Sequence, residues 1–310
     1  MIAYVFQRLG LSLFVLWGVL TLSYGLIGLA PGDVAESLAG QRTDAETLAA
    51  MREKLGIEQD PLTRYWLYMK GILQGDWGSS SRYGEAVWPL ILDRFPKTAQ
   101  LALSAILFAT LIGMALGITA SVFQGSRIDR LITFASLAGI SSPVFWIGLI
   151  LVWFFSLQLG WLPPSGYEAG DARFLVLPAM TLGLRSIALV TRISRAALIE
   201  VSSSHYIRTA QSKGLSPVAV TGKHALRNAS LPILTVIGLD LGSYLSGSVL
   251  TEKVFAWPGL GRLLVDAILA RDMALINACV VFMAALFIVV NLLVDICYAV
   301  FDPRIRAGSS

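Results

Sequence analysis

The chain is poor in charge, in histidine and in cysteine, and each shortage removes a class of function. Only 14% of its 310 residues are charged and 55% are hydrophobic, whereas soluble domains carry about 25% charged residues. It is therefore read as a membrane protein. The two histidines, His205 and His224, lie in one polar stretch without the spacing of a metal site. No apolar run contains a histidine, so Ser246 and Ser248 beside Gly247 lack the base that a membrane serine protease needs. The cysteines, Cys279 and Cys297, share one apolar run. They would sit about 27 Å apart along a helix, beyond disulfide reach, and are expected to be core thiols.

A phosphate-binding loop is missing too. Gly222-Lys223 has neither the upstream glycine nor the following Ser or Thr, and Gly259-Leu260-Gly261 falls in a segment read as external. If ATP drives the work, another polypeptide must bind it. The net charge of +4 forms no Arg/Lys stripe interleaved with aromatics, so no nucleic-acid partner is expected.

What the sequence does have is six long apolar runs, at 9–30, 98–123, 131–159, 174–193, 231–251 and 278–301. The first is about 22 residues long, enough to cross a bilayer. It also exceeds the core of about 7–15 residues of a signal peptide, so an uncleaved first span is expected. The fold class is an all-α polytopic membrane protein with six transmembrane helices, both termini cytoplasmic, and an external helical insertion after the first span. Residues 1–30 are the lead and first helix, 31–97 the external scaffold, 98–301 a five-span core, and 302–310 a cytoplasmic tail. Within the scaffold, amphipathic helices are expected at 45–55 and 62–74, a turn at 75–80, and a surface-lying segment at 87–95. Ser141-Ser142-Pro143 predicts a bend in the third span. Gly113 with Gly117, and Gly238 with Gly242 and Ser246, place small residues four apart, where helices can approach closely.

Charge sets the orientation. Arg8, Arg127, Arg130, Arg192, Arg195, Arg208, Lys213, Lys223, Arg227, Arg304 and Arg306 fall on one side, against Asp129, Glu200 and Asp302. An excess of Lys and Arg marks the cytoplasmic face. The largest share lies in the polar island 195–232, long enough for two or three short helices. In it Ala210 and Gly214 share a helix face, and Gly214 followed by Ser216-Pro217 suits a helix C-terminus.

The same island carries a family resemblance. Tyr206-Ile207-Arg208-Thr209-Ala210, Lys213-Gly214-Leu215, His224-Ala225-Leu226-Arg227-Asn228-Ala229 and Leu231-Pro232 resemble the cytoplasmic loop of bacterial ABC importer permeases. The branch resembled is that for dipeptides, oligopeptides, glutathione and nickel. The general importer loop begins Glu-Ala-Ala, and here Arg208-Thr209-Ala210 stands in that place with Gly214 at the matching distance. Pro31-Gly32-Asp33, Gly75-Asp76-Trp77-Gly78, the stretch from Phe255 to Arg262 with Asp266, Asn291 with Asp295, and Asp302-Pro303-Arg304 extend the likeness nearly end to end. The resemblance implies a non-catalytic permease in the bacterial inner membrane, with Tyr206, Arg208, Thr209, Ala210, Lys213, Gly214 and Leu215 forming a helix that docks on an ATPase. Implied partners are a second permease, two ATPase subunits holding ATP and Mg, an external substrate-binding protein and membrane lipid. This chain itself would bind no cofactor. A nickel or metal-chelate importer is the alternative within the branch. From a different class, a proton-driven transporter would use Asp240 or Asp295 as relay.

Arg185 and Asp240 fall near the middle of the fourth and fifth spans. A charge there costs roughly 2.5–3.5 kcal/mol, so such groups pair or face a wet cavity. They are expected to line or brace the translocation path, facing each other or a partner.

Overall fold

The computed structural model describes residues 2–29, 59–202, 204, 206–207, 212–214 and 226–301. In chain order the helices are α1 (Ile2–Leu29), α2 (Pro61–Leu73), α3 (Val87–Val122), α4 (Arg127–Ser141), α5 (Val144–Leu151), α6 (Arg173–Ser202), α7 (Leu226–Leu245), α8 (Val249–Val254), α9 (Leu260–Ala270) and α10 (Met273–Phe301). Among the described residues no strand forms, and the one β-bridge joins Ser79 to Ala86. The expected helix at 45–55, Pro31-Gly32-Asp33 and the tail lie outside the described residues.

Four helices are long and apolar enough to cross a membrane: Phe6–Gly25, Val87–Val122, Arg173–Ser202 and Met273–Cys297. A fifth crossing is made if Arg127–Ser141 and Val144–Gln158, bent by 108° where they meet, count together; Ala229–Leu245 is apolar but shorter. The bend falls at Ser142-Pro143, where proline offers no N–H to the preceding turn.

Helix α6 is the hub. On α3, a Cβ at Gly117 would come within 2.6 Å of the Ser194 Cβ and 2.9 Å of the Thr191 carbonyl oxygen, so only glycine permits this approach. One turn earlier Gly113 meets Val190, and from the other side Gly183 meets the Ala105 carbonyl. The residue numbers of these pairs rise together in both helices, so α3 and α6 run parallel and α3 ends where α6 ends. Helix α7 instead packs antiparallel on α10, with Gly238 on Val294 and Gly242 on Phe287. The C-termini of α3, α6 and α10 therefore gather with the N-terminus of α7 at one end, here called the loop end.

Several boundaries differ from the sequence expectation, each for a packing reason. Residues 87–95 do not lie along a surface; they open α3, which runs unbroken through Pro96. Val87 and Ile91 are fully buried against Leu260, Leu263, Leu275 and Cys279, which holds the segment upright. The fourth span continues to Ser202, because Ala197 and Leu198 bury against Ile207 and Ala229. The fifth stops at Leu245, where Gly247 at φ 107° turns the chain into the short α8. Cys279 is buried as expected, but Cys297 is exposed, since it sits on the outward side of α10.

The scaffold helix expected at 62–74 forms as α2, started by Asp60, whose carboxylate accepts the Thr63 N–H at 3.2 Å, and by Pro61 at the first position. It packs against α1 through Tyr24, Tyr65 and Tyr68. Asn277 of α10 ties the three helices together by accepting the Ser23 hydroxyl at 2.7 Å and the Tyr68 hydroxyl at 3.1 Å.

Candidate functional site

At the loop end the central polar group is Asp129, in the first turn of α4. Its buried carboxylate accepts Nε and Nη2 of Arg195 at 2.6 and 2.8 Å and the Gly125 N–H at 2.8 Å. In the sequence the two residues stand 66 positions apart and show only as charges. The Arg195 guanidinium, with the Gly125 amide, holds the Asp129 carboxyl down at about 2, well below its usual 3.8. A depressed carboxylate adds stability above the unfolded pKa and loses it as pH falls through the folded one. Asp129→Asn should therefore cost about 2 kcal/mol at neutral pH, the scale of hydrogen bonds to a charged group. It should also flatten the loss of thermal stability between about pH 4 and pH 2. An unchanged acid limb in the purified variant would refute this account of the pair.

Immediately beyond Arg195 the chain enters the island singled out from sequence. Tyr206 is 43% exposed and Ile207 fully buried in the cluster of Ala197, Leu198 and Ala229, so the start of the island is anchored to both flanking helices. Ser212 is helical, and Lys213 and Gly214 are exposed. Gly214 stands at φ 76°, the left-handed conformation expected of a helix-ending glycine. Arg208, Thr209, Ala210, Leu215, His205 and His224 lie outside the described residues.

Midway along the bundle, Arg185 and Asp240 are brought to neighbouring helices but form no ion pair within 4 Å. The Asp240 carboxylate takes the Ser186 hydroxyl instead. Ser186 also meets the Tyr244 hydroxyl at 2.5 Å, and Tyr244 donates to the Leu182 carbonyl at 2.9 Å. This lock between α6 and α7 was missed in the sequence, although Asp240 and Tyr244, four apart, share a helix face and signal a common target. Arg185 is left on the exposed side of α6.

At the opposite end, the stretch from Phe255 to Arg262 is built around a residue just before it. Glu252 is 0% exposed and reaches back to the start of α9. Its carboxylate accepts the Arg262 N–H at 3.0 Å and the Thr98 hydroxyl at 2.9 Å, while Thr98 accepts the Leu260 N–H at 2.8 Å. An acid at a helix N-terminus satisfies donors that no helical carbonyl can reach. Burial pushes the Glu252 carboxyl above the usual range, against the opposing pull of those hydrogen bonds. The glycines of the stretch make room: a Cβ on Gly259 would strike the Glu252 carboxylate, and one on Gly261 would lie 2.7 Å from the Val249 Cα. Trp257 closes the clasp, its Nε1 donating to the Lys97 carbonyl at 2.9 Å and its ring meeting Tyr167 edge-on at 5.0 Å. Beside it, fully buried Asp272 caps α10 through the Leu275 N–H at 3.1 Å and accepts Ser80 of the Gly75-to-Ser80 turn.

Among the described residues, an all-helical arrangement with several helices long and apolar enough to cross a membrane defines a multi-pass integral membrane protein. Comparison with known proteins identifies the class. The chain matches the family described as binding-protein-dependent transport system inner membrane component over residues 109–307, and that family's N-terminal membrane component over residues 1–102. It is 40% identical to the di/tripeptide transport system permease protein DppB of Pseudomonas aeruginosa, over 99% of each chain. It is 41% identical to the glutathione transport system permease protein GsiC of Salmonella paratyphi A, again over 99% of each. The solved inward-facing MetNI methionine ABC transporter superposes with a TM-score of 0.60 at 17% identity, covering 69% of this chain and 96% of that one, a likeness of fold.

The protein belongs to this family of importer permeases, in the branch of the dipeptide and glutathione permeases. It is a permease of an ATP-driven importer. The proton-driven alternative falls with that membership.

Proposed function

We propose that this permease carries short peptides or glutathione-like molecules across the bacterial inner membrane, with a second permease forming the other wall of the path. Two ATPase subunits would hold ATP and Mg, and an external binding protein would deliver cargo. The observation that carries the cargo reading is likeness along almost the whole chain to permeases named for di/tripeptides and for glutathione. We further infer six crossings with both termini cytoplasmic. Three observations support this topology. Asp129 meets Arg195 at the loop end while Gly148 meets Thr181 and Phe255 far from it, so the bent pair α4–α5 climbs the full length of α6. Arg8 of α1 pairs with Asp295 of α10 at 3.0 Å, putting the chain's start at the loop end. The basic excess of that end makes it the cytoplasmic one.

In this reading the segment from Tyr206 to Leu215 seats in a groove of an ATPase, and closure of the ATPases pushes on it. Helices α6 and α7, clamped to each other through Ser186, Asp240 and Tyr244, tilt as one unit. Gly214→Val tests the lever, because a β-branched residue at positive φ is strained wherever it sits. In the reconstituted importer, cargo-stimulated ATP hydrolysis should fall at least about tenfold, the loss expected when a docking surface shifts by an ångström. Basal hydrolysis by the ATPase subunits should persist. Full coupling in the variant, or failure of any ATPase to co-purify with the tagged wild type, would refute the docking role.

A further inference from the structure

We propose that Arg185 and Arg192 are two successive docking points for a carboxylate of the cargo, so that the permease itself favours anionic molecules. The inference rests on the peptide-cargo reading above and adds a chemical requirement to it. Helix α6 is covered on three sides. Helix α3 takes Val190 and Ser194, α4 and α5 take Ala188 and Thr181, and α7 takes Ser186 and Leu182. Arg185, Arg192 and Ala196 lie on its remaining, exposed side. Seven residues apart, the two arginines share that side about 10 Å from each other along the axis.

Neither guanidinium has an ion pair or hydrogen bond among the described residues. Nearby cations do have partners: Arg195 is held by Asp129 and Arg8 by Asp295. Arg185 stands roughly 18 Å inside α6, too deep to reach a headgroup, and a charge facing hydrocarbon at that depth is strongly disfavoured. The open side of α6 is therefore a wet or partnered surface. Arg192, two turns nearer the loop end, lines a recess of about 410 Å³ between α4 and α6 together with Thr133 and Ser136. In that recess Arg195 turns its Nε and Nη2 to Asp129, whereas Arg192 has no such acid beside it and is the cation open to a ligand. On α6 itself no acid is met along this side until Glu200 at the loop end; Asp240 of the neighbouring α7 lies within electrostatic range of Arg185 but gives its hydrogen bond to Ser186. The surface is complementary to an anion, and a guanidinium fork fits a carboxylate in two-point contact. Its two steps lead from mid-membrane toward the cytoplasmic end, the direction of import.

The test uses the complete importer in proteoliposomes and two matched tripeptides, one with a free C-terminal carboxylate and one amidated. Discrimination by the binding protein is common to all variants, so the ratio of the two uptake rates isolates the permease. Arg185→Gln and Arg192→Gln should each lower kcat for the free acid by about thirtyfold or more, the scale of truncating one partner of a charge pair. The amide should change less than about twofold, and Arg185→Lys should keep only part of the preference, because the cation remains while the two-point contact is lost. Equal losses for acid and amide would overturn the proposal. They would mean that the arginines pair with an acid of the second permease, which reduced co-purification of that subunit would confirm. An unchanged ratio would also overturn it. If the unsubstituted complex takes up neither peptide, the cargo reading fails first and the proposal with it.

Discussion

Replacing Glu252 by alanine is expected to cost about 3 kcal/mol or more, as breaking a buried charged network does. The carboxylate is the shared acceptor for the Arg262 amide at the start of α9 and for Thr98 of α3. Its removal strands those donors in a sealed site and opens a cavity next to Gly259 and Gly261. The effect should spread, since Thr98 in turn holds Leu260, and Trp257 holds the Lys97 carbonyl. Glu252→Gln keeps an oxygen for the helix N-terminus and removes the cost of burying a charge, so it should recover most of the loss. Fluorescence-detected size exclusion of heated samples would rank the three proteins. Alanine matching the wild type would show that the clasp is held by its apolar neighbours alone.

Gly117→Leu should be equally damaging, by overpacking. The first added atom already lies 2.6 Å from the Ser194 Cβ and 2.9 Å from a backbone oxygen, and a backbone cannot rotate aside as a side chain can. Forcing bulk into a packed core costs about 1–3 kcal/mol, and more where backbones touch. The separation of α3 from α6 would also pull on the helix that leads into the polar island, so yield and transport should fall together. Gly10→Leu is the control, because nothing stands within 4 Å of that position on α1. If both variants behave alike in thermal stability, close approach of α3 and α6 is not what the glycine provides.

Much of the architecture was legible before any coordinates. Long apolar runs need helices in a membrane because every backbone group must be satisfied internally, and that alone located the long helices. Proline at 143 gave the bend, and the spacing of Gly113 and Gly117 gave a contact face. The signs of the charges gave a consistent sidedness. The polar island at 195–232 was also visible, as polar sequence between apolar runs. Other features were not readable, because they depend on residues far apart in sequence. Arg195 sits 66 positions from Asp129, Ser186 54 from Asp240, and Thr98 154 from Glu252. A polar residue in an apolar run announces only that it needs a partner.

By itself, then, the sequence determined the class of solvent, the long apolar helices and the family, since hydropathy and local motif are properties of contiguous residues. Only the tertiary structure decided where helices continue or break, because burial of Val87, Ile91 and Leu198 overrides the polarity of their neighbours. It alone decided that Asp240 answers Ser186 while Arg185 stays open, since which charge meets which hydroxyl depends on how two helices are rotated about their axes.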